Sequence, residues 1–558
     1  MGEGTGGGSW SRVELSLACG LILLWLAFAL HTTRGLLDLP PDAHQYLIVA
    51  RSLVQGEGYT VPLVPFHAGY FDPVRHVPEM HGVLRPLVLA ALFAVGGVDA
   101  SLARVPGMVY MAAAALVAFL FARRLFGPVA GLVACILTLT CLDLFKWAIL
   151  GTDDVGFAFF FLSSVALLQR ALRSGRDGDF LLAGAVAGLG VLEKPLGIFL
   201  PALFLAAALD WRRVGVTAVL RRGALLVVPF ALCFAIYFLR NTASYGDPMF
   251  RLGALNWIQK FLGQDAAYGL YEVVPRLGRV VEGVGWRRVA EVAAQELASA
   301  GRMIFGLGFL IEPAPGPWLT HKALPPLLAA LGLLGVGVHA RRLPEFAALV
   351  ACAILGAGAV TGLLWHVEPR YFLFLAPLYA VAVAGLVGGI SRRAGLDASA
   401  VSVAWALGAL ALLATGTQLV HFADAAAKAE RISRSVPPRP PSPCGGALDF
   451  LLRETEAQDR ILTFDPWLVS WETGREAIMI PSGGVEPVFR VARHYGADWL
   501  LLQVSHRPRA PTIRTLRELT RRPGPLSLTR EYAGEGCQVF RIGQMPEPGE
   551  AERSEHRP

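Results

Sequence analysis

Long apolar runs, cut by short loops that carry paired arginines, dominate the chain. They fall at 13–31, 101–122, 128–143, 155–171, 181–193, 195–210, 223–239, 323–340, 345–364, 371–390 and 401–421. A helix needs ~20 residues to traverse the hydrocarbon layer, and several runs are somewhat shorter. Backbone in lipid must satisfy its own hydrogen bonds, so these runs can only be helices or a closed barrel, and their length selects helices. A polytopic α-helical membrane protein of about eleven spans is expected. Composition agrees, with 17% of the 558 residues charged where soluble chains carry about 25%. The charged break at Glu193-Lys194-Pro195 predicts a kinked or re-entrant pair.

The arginines give the orientation. Arg123-Arg124, Arg170 with Arg173 and Arg176, Arg212-Arg213 with Arg221-Arg222, Arg341-Arg342 and Arg392-Arg393 share one side if the spans alternate. Basic loops stay cytoplasmic. Residues 32–100, 144–154, 240–322, 365–370 and everything after 421 then lie outside, and the N-terminus lies inside. The net charge of +7 reports this asymmetry, and no nucleic-acid partner is expected. The first run is too long for a typical signal-peptide core and lacks a small-residue cleavage site after it, so a retained anchor is expected.

The first outer loop holds a predicted amphipathic helix from about Asp42 to Gln55 and a short apolar helix from Pro86 to Val95. Both are expected to lie in the outer interface. Gly301 to Ile311 is read the same way, or as re-entrant. Residues 1–423 form the membrane domain in this reading. Residues 424–444, with Pro437-Pro438-Arg439-Pro440-Pro441, form a linker. Residues 445–545 read as a small α/β domain, with helices at Gly446–Thr455 and Val485–Tyr495 and strands at Arg460–Phe464 and Trp499–Gln503. A disordered tail, 546–558, follows. Five of the seven cysteines fall in apolar runs. Cys444 and Cys537 bracket the polar domain and either form one clasp across it or stay free.

Several charged residues stand where chemistry is possible. Asp42, at the mouth of the first outer loop, can take a proton from an attacking hydroxyl or amine; a helix cap is the plainer reading. Asp153 and Asp154 precede Gly156-Phe157-Ala158-Phe159-Phe160-Phe161 on the same side, and they too suit a helix start. Glu193-Lys194 lies inside apolar sequence, where charge is expensive. Lys194 can hold a phosphate, or the two can neutralise each other. Arg85 and Arg370 are cations at outer span ends, suited to bidentate phosphate contact or to snorkelling. Arg370, flanked by Glu368 and Tyr371, breaks the inside bias of the other arginines. His44, His67, His76 and His81, with Asp72 and Glu79, match no recognised metal spacing. No cofactor is implied, and a divalent metal is a minor alternative. Trp467, Trp471, Glu472 and Arg475 are either acceptor contacts or fold residues. Walker A, dinucleotide-binding and HExxH motifs are missing from the sequence.

Taken in order, these segments resemble the GT-C superfamily of membrane glycosyltransferases, nearest the protein O-mannosyltransferase and aminoarabinose-transferase type. The resemblance covers most of residues 10–425. Asp42 to Tyr59, including Tyr46, is similar to the family's Asp-Glu-x-x-Tyr motif and the Ala-Arg-x-Leu-x-x-Gly-x-Gly segment after it. Arg85-Pro86-Leu87 resembles the basic-Pro-Pro-Leu segment, and Asp154 the acid before the fourth span. Gly188 to Lys194 resembles the Gly-Leu-Lys segment, Asn241 to Phe250 the Phe-Gly-Asn-Pro loop, and Arg370-Tyr371 the late Arg-Tyr motif. Ala43 stands where the family carries a second acid, and Arg85 where many members have lysine.

The resemblance implies an inverting sugar transfer from a polyprenyl-phosphate donor to an envelope acceptor (lipid, glycan or protein) on the outer face of a cytoplasmic membrane. Asp42 would act as base or orient the acceptor, with Asp154 assisting. Arg85, Lys194 and Arg370 would hold the lipid phosphate, and Tyr46, Asp153, Glu368 and Tyr371 would line the substrate site. A transporter or lipid flippase with charged midplane residues is the alternative.

Overall fold

A computed structural model of the chain describes residues 12–33, 39–67, 74–78, 81–205, 214–246, 248, 254–263, 266, 268–271, 277–305, 324–364, 367–393, 444–503, 527–534 and 536–543. The expected span at 401–421, the linker before Cys444, the tail, the pair Arg212-Arg213, and Asp72 and Glu79 lie outside these residues.

Within the described residues, most of the apolar runs become helices. In chain order these are α1 (Arg12–Thr32), α2 (Pro41–Val54), α3 (Leu84–Gly96), α4 (Arg104–Phe126), α5 (Pro128–Leu139), α6 (Leu142–Ile149), α7 (Asp154–Ser174) and α8 (Asp177–Glu193). After a 3-10 segment, Pro195–Leu203, come α9 (Val216–Tyr245), the short amphipathic α10 (Ala254–Leu262), α11 (Leu277–Val284) and α12 (Trp286–Ile304), then α13 (Leu324–His339), α14 (Pro344–Ala359) and α15 (Leu375–Arg393). Among the described residues, five helices are long and apolar enough to cross a membrane, or six if α5 and α6, bent by 50°, count as one span. The expected break at Glu193-Lys194-Pro195 is present: α8 ends at Glu193, Lys194 is extended, and the 3-10 turn follows. Bundle packing comes from interdigitated Phe, Leu and Ala, with Phe157, Phe161 and Phe374 in edge-on contact at the centre.

The polar region is α/β, and it extends beyond 445–545. Its own elements are α16 (Gly445–Glu454), α17 (Pro466–Thr473) and α18 (Val485–Tyr495) with strands at Arg460–Thr463, Glu476–Met479, Trp499–Gln503, Leu528–Gly534 and Cys537–Ile542. Numbering strands from the start of the chain, these are β3 to β7, because β1 (Val61–Val64) and β2 (Arg75–His76), from the stretch between α2 and α3, join them. The sheet order is β2-β1-β4-β3-β5-β7-β6. β1 runs parallel to β4, with Leu63 opposite Ala477 and Val64 opposite Ile478. β1 has every residue buried because it is covered on both faces, the pattern of an interior parallel strand.

α2 does not float in the interface, as its amphipathic pattern suggests. Ile48 and Val49 pack with the sheet core, while Ala43, Tyr46, Leu47 and Ala50 pack with α3 and the turn at Ala100–Ala103. Arg51 donates to the carbonyls of Trp471 and Ser470 at 2.8 and 2.9 Å and lies over the Trp471 ring. Trp467 donates its indole N–H to Gln45 at 3.0 Å. Trp467 and Trp471 are thus contacts between the two regions, and Arg475 braces Thr455.

Cys444 and Cys537 form a disulfide that ties the start of α16 to β7, Cα atoms 5.3 Å apart. Replacing both by serine is expected to lower stability by about 2–4 kcal/mol. A thermal melt of the purified protein with and without reductant, against the double variant, checks this.

Candidate functional site

Four separate stretches of chain converge at one end of the bundle. The first is the turn of α2, where Asp42 caps nothing: the N-cap position is Pro40, and no side chain caps this helix. The second is Thr152-Asp153-Asp154 at the start of α7. Neither acid there serves as a side-chain cap in the N-cap position either. The third is Glu193-Lys194, and the fourth is the 3-10 turn Pro369–Phe372, preceded by Glu368.

Lys194 bridges both acids of α7, with Nζ 2.8 Å from Asp153 Oδ1 and 2.6 Å from Asp154 Oδ1. The Thr152 hydroxyl donates to the other Asp154 oxygen at 2.8 Å. Arg370 donates through Nη1 to Asp42 Oδ2 and through Nε to Glu368 Oε2, each at 2.6 Å. Aromatic rings complete the site: Lys194 and Arg370 both lie over Tyr371, at 5.1 and 5.4 Å, and Arg370 also lies over Trp147 at 5.2 Å. Tyr46 meets His81 Nδ1 at 3.2 Å. Asp42 keeps 27% of its side chain exposed and Arg370 17%. With Glu368, whose side chain is 34% exposed, these are the reachable members, whereas Asp153, Asp154 and Lys194 are buried.

The expected candidates divide. Asp42, Tyr46, Asp153, Asp154, Lys194, Glu368, Arg370 and Tyr371 are in one cluster. Arg85 is not at its face. Its side chain is fully buried, donates to the Thr152 carbonyl at 2.7 Å and points at Glu193 from 3.7 Å. The reason is α3, which starts at Leu84 and aims Arg85 inward under the α7 turn. Glu193 and Lys194 do not neutralise each other either. The extended backbone at Lys194 (φ −140, ψ 118) sends the two side chains to different partners.

The histidines separate. His44 is buried in α2 and pushed down to about 4 by that burial. His67 bonds the Met479 carbonyl at 2.6 Å, and His76 that of Val74 at 2.8 Å. Among the described residues, no three His, Cys, Asp or Glu side chains gather as a metal site would need. Thr152 and Trp147 belong to the cluster but carry no sequence signal of their own; His81, singled out in the sequence only among the possible metal ligands, lies beside Tyr46. An acid pair followed by a Phe run points at Asp154, and Thr152 could have been found only as its neighbour.

Electrostatics favours the ionised acid at Asp42. Burial pushes its carboxyl up, but Arg370, His81 and Lys194 together outweigh this and hold it below its ordinary 3.8. Tyr46 moves the other way, raised by burial and by Asp153 and Asp42, and so keeps its proton.

Residues 80–238 match the family described as dolichyl-phosphate-mannose-protein mannosyltransferase. Among curated proteins, no sequence matches significantly. Three solved structures are similar. The oligosaccharyltransferase of Archaeoglobus fulgidus in the apo form superposes with a TM-score of 0.59 at 15% identity, covering 97% of this chain and 75% of that one. The archaeal oligosaccharyltransferase AglB from Archaeoglobus fulgidus, in complex with an inhibitory peptide and a dolichol-phosphate, gives 0.55 at 13%, covering 97% and 76%. ArnT from Cupriavidus metallidurans bound to undecaprenyl phosphate gives 0.43 at 13%, covering 94% and 98%. The chain thus shares the fold of the Archaeoglobus fulgidus oligosaccharyltransferase, and its residues 80–238 are similar to the dolichyl-phosphate-mannose-protein mannosyltransferase family.

Two outcomes test this geometry. A Cβ at Gly156 would sit 2.2 Å from Glu193 Oε1, so Gly156→Ala is expected to cost about 1–3 kcal/mol through overpacking, read as a lower Tm. The second concerns Asp42, whose folded pKa lies below 3.8. Its pairing with Arg370 stabilises the protein fully above that ordinary value and is lost as pH falls through the folded one. The Tm difference between wild type and Asp42→Asn is expected to stay constant from about pH 8 to pH 5 and to close on acidification below 3.8.

Proposed function

We propose that the protein moves a sugar from a polyprenyl-phosphate donor to an envelope acceptor, with inversion, on the outer face of a bacterial cytoplasmic membrane. The observation that carries this is the Arg370–Asp42 contact at 2.6 Å, made across 328 residues of chain, beside Lys194 and its two acids. A cation and a carboxylate, both partly exposed, face the same space. Arg370 meets the lipid phosphate, displacing Asp42 from its guanidinium, and Lys194, held by Asp153 and Asp154, braces the wall behind it. A polyprenyl phosphate is already a good leaving group and needs charge stabilisation more than a proton. Asp42, released, orients the acceptor hydroxyl or amine and takes its proton as the bond to the sugar forms. Asp153 and Asp154 hold Lys194, Tyr371 and Tyr46 wall the site, and Glu368 steers Arg370.

Three facts support the reading. The matched family is described by a dolichyl-phosphate-mannose donor. A protein of the same fold is in complex with a dolichol-phosphate. The Cys444–Cys537 disulfide suits an oxidising compartment outside the cytoplasm. The basic ends of α4 and α7, at Arg123, Arg124 and Arg173, lie opposite to the Asp154 end and would then face the cytoplasm.

The experiment is transfer of label from purified polyprenyl-phosphate sugars to an envelope extract. Asp42→Asn is expected to fold and to transfer ~10²–10⁴-fold more slowly. Undiminished turnover would eliminate Asp42 from the reaction.

A further inference from the structure

The end of the bundle away from the candidate site is strongly basic. α7 starts at Asp154 and runs for 21 residues, so its last turn lies about 30 Å from the acids of that site. There the end of α7 and the starts of α8 and α9 carry Arg170, Arg173, Arg176, Arg221 and Arg222 against two acids, Asp177 and Asp179. Both acids are taken. Arg170 Nε lies 3.2 Å from Asp179 Oδ1, and the other Asp179 oxygen accepts from the Ser174 hydroxyl at 2.7 Å. Asp177 pairs with Arg221. Among the described residues, Arg173, Arg176 and Arg222 have no carboxylate partner.

Arg222 is the member that membrane topology leaves unexplained. Basic residues at span ends need no ligand where they extend into water, and Arg173, Arg176 and Arg221 are exposed. Arg222 is half-buried instead. Its guanidinium lies over the buried Phe180 ring at 5.4 Å, and its Nη2 would be 3.4 Å from a Cβ on Gly175, in the turn between α7 and α8. The packing beneath holds it there. A Cβ at Gly184 would lie 2.1 Å from the Leu226 carbonyl oxygen, so α8 and α9 are in backbone contact one turn beyond Phe180 and Arg222. Stacking occupies the face of the guanidinium and leaves its N–H edge for an acceptor. A cation drawn partly out of water without a carboxylate is costly until an anion comes to it. The flanks of the same two helices are apolar and exposed, at Leu181 and Leu182 on α8 and at Val216 and Leu220 on α9.

We infer that Arg222, with Arg173 and Arg176 beside it, binds the phosphate of an anionic phospholipid in the leaflet opposite the candidate site. The guanidinium edge matches two phosphate oxygens at once. A basic pocket between spans at the membrane surface suits such a headgroup. The acyl chains lie along the exposed leucines and Val216, which a free phosphate ion has no means of using. This lipid site is independent of the sugar transfer proposed above, because it lies one span length away and shares no side chain with it.

The test places the purified full chain in phosphatidylcholine nanodiscs and measures the association of spin-labelled phosphatidylglycerol relative to spin-labelled phosphatidylcholine. Wild type is expected to prefer phosphatidylglycerol about tenfold. Arg222→Gln is expected to remove most of that preference. Arg341→Gln, at an exposed arginine in the turn between α13 and α14, is expected to leave it unchanged. The double variant Arg173→Gln with Arg176→Gln changes two exposed side chains and keeps the test open if Arg222→Gln does not fold; it is expected to lower the preference about threefold. Inorganic phosphate at the concentration of the lipid is expected to leave the lipid bound. Equal association of the two lipids, or a preference that survives both the Arg222→Gln and the double substitution, overturns the inference. So does an equal loss in Arg341→Gln, which would mark a diffuse surface charge, and so does displacement by phosphate, which would assign the arginines to a soluble anion.

Discussion

No charge at this depth can stand alone, and that constraint shapes the end of the bundle. Lys194, Asp153 and Asp154 are buried together. Desolvating any of them unpaired would cost several kcal/mol, and leaving one partner behind is worse than having neither. Each therefore requires the others, and the α7 turn, the end of α8 and the 3-10 turn of Arg370 have to meet. A second ring of contacts lies beneath. Arg85 joins the Thr152 carbonyl to Glu193, Thr152 holds Asp154, Asp154 holds Lys194, and Lys194 is the next residue after Glu193. The loop closes on itself, so the positions of its members are mutually determined.

α2 joins this charge cluster to the sheet. Its first turn carries Asp42 into the site, its middle packs on both α3 and the sheet core, and Arg51 near its end holds two carbonyls of α17. With β1 and β2 built into the same sheet, the stretch between α1 and α3 belongs as much to the α/β region as to the bundle. A displacement of that region would move Asp42 relative to Arg370, because the same rigid helix touches both.

The plain readings of several residues fail for specific reasons. Asp42 and Asp154 are not caps, and Asp153, though at the N-cap position of α7, makes no side-chain cap bond; their oxygens go to Arg370 and Lys194. Arg85 is not a surface cation, since α3 points it inward. The tryptophans of α17 serve the joint between regions. What remains at the face is small: Asp42, Arg370 and Glu368, with His81 and Tyr46 alongside.

Hydropathy alone was enough for the membrane class, most helix positions, the break at Glu193-Lys194-Pro195 and the α/β character of 445–545. These depend on local periodicity and on the cost of burying charge, which any short window of sequence reports. The charged candidates were legible too, because an acid or a lysine in apolar surroundings is conspicuous. Their grouping was not. The pairing of β1 with β4, the direction of Arg85, the separate partners of Glu193 and Lys194, and the place of His81 beside Tyr46 all depend on contacts between segments hundreds of residues apart. Side-chain direction and strand register are set by what packs against them, and only the assembled chain contains that information.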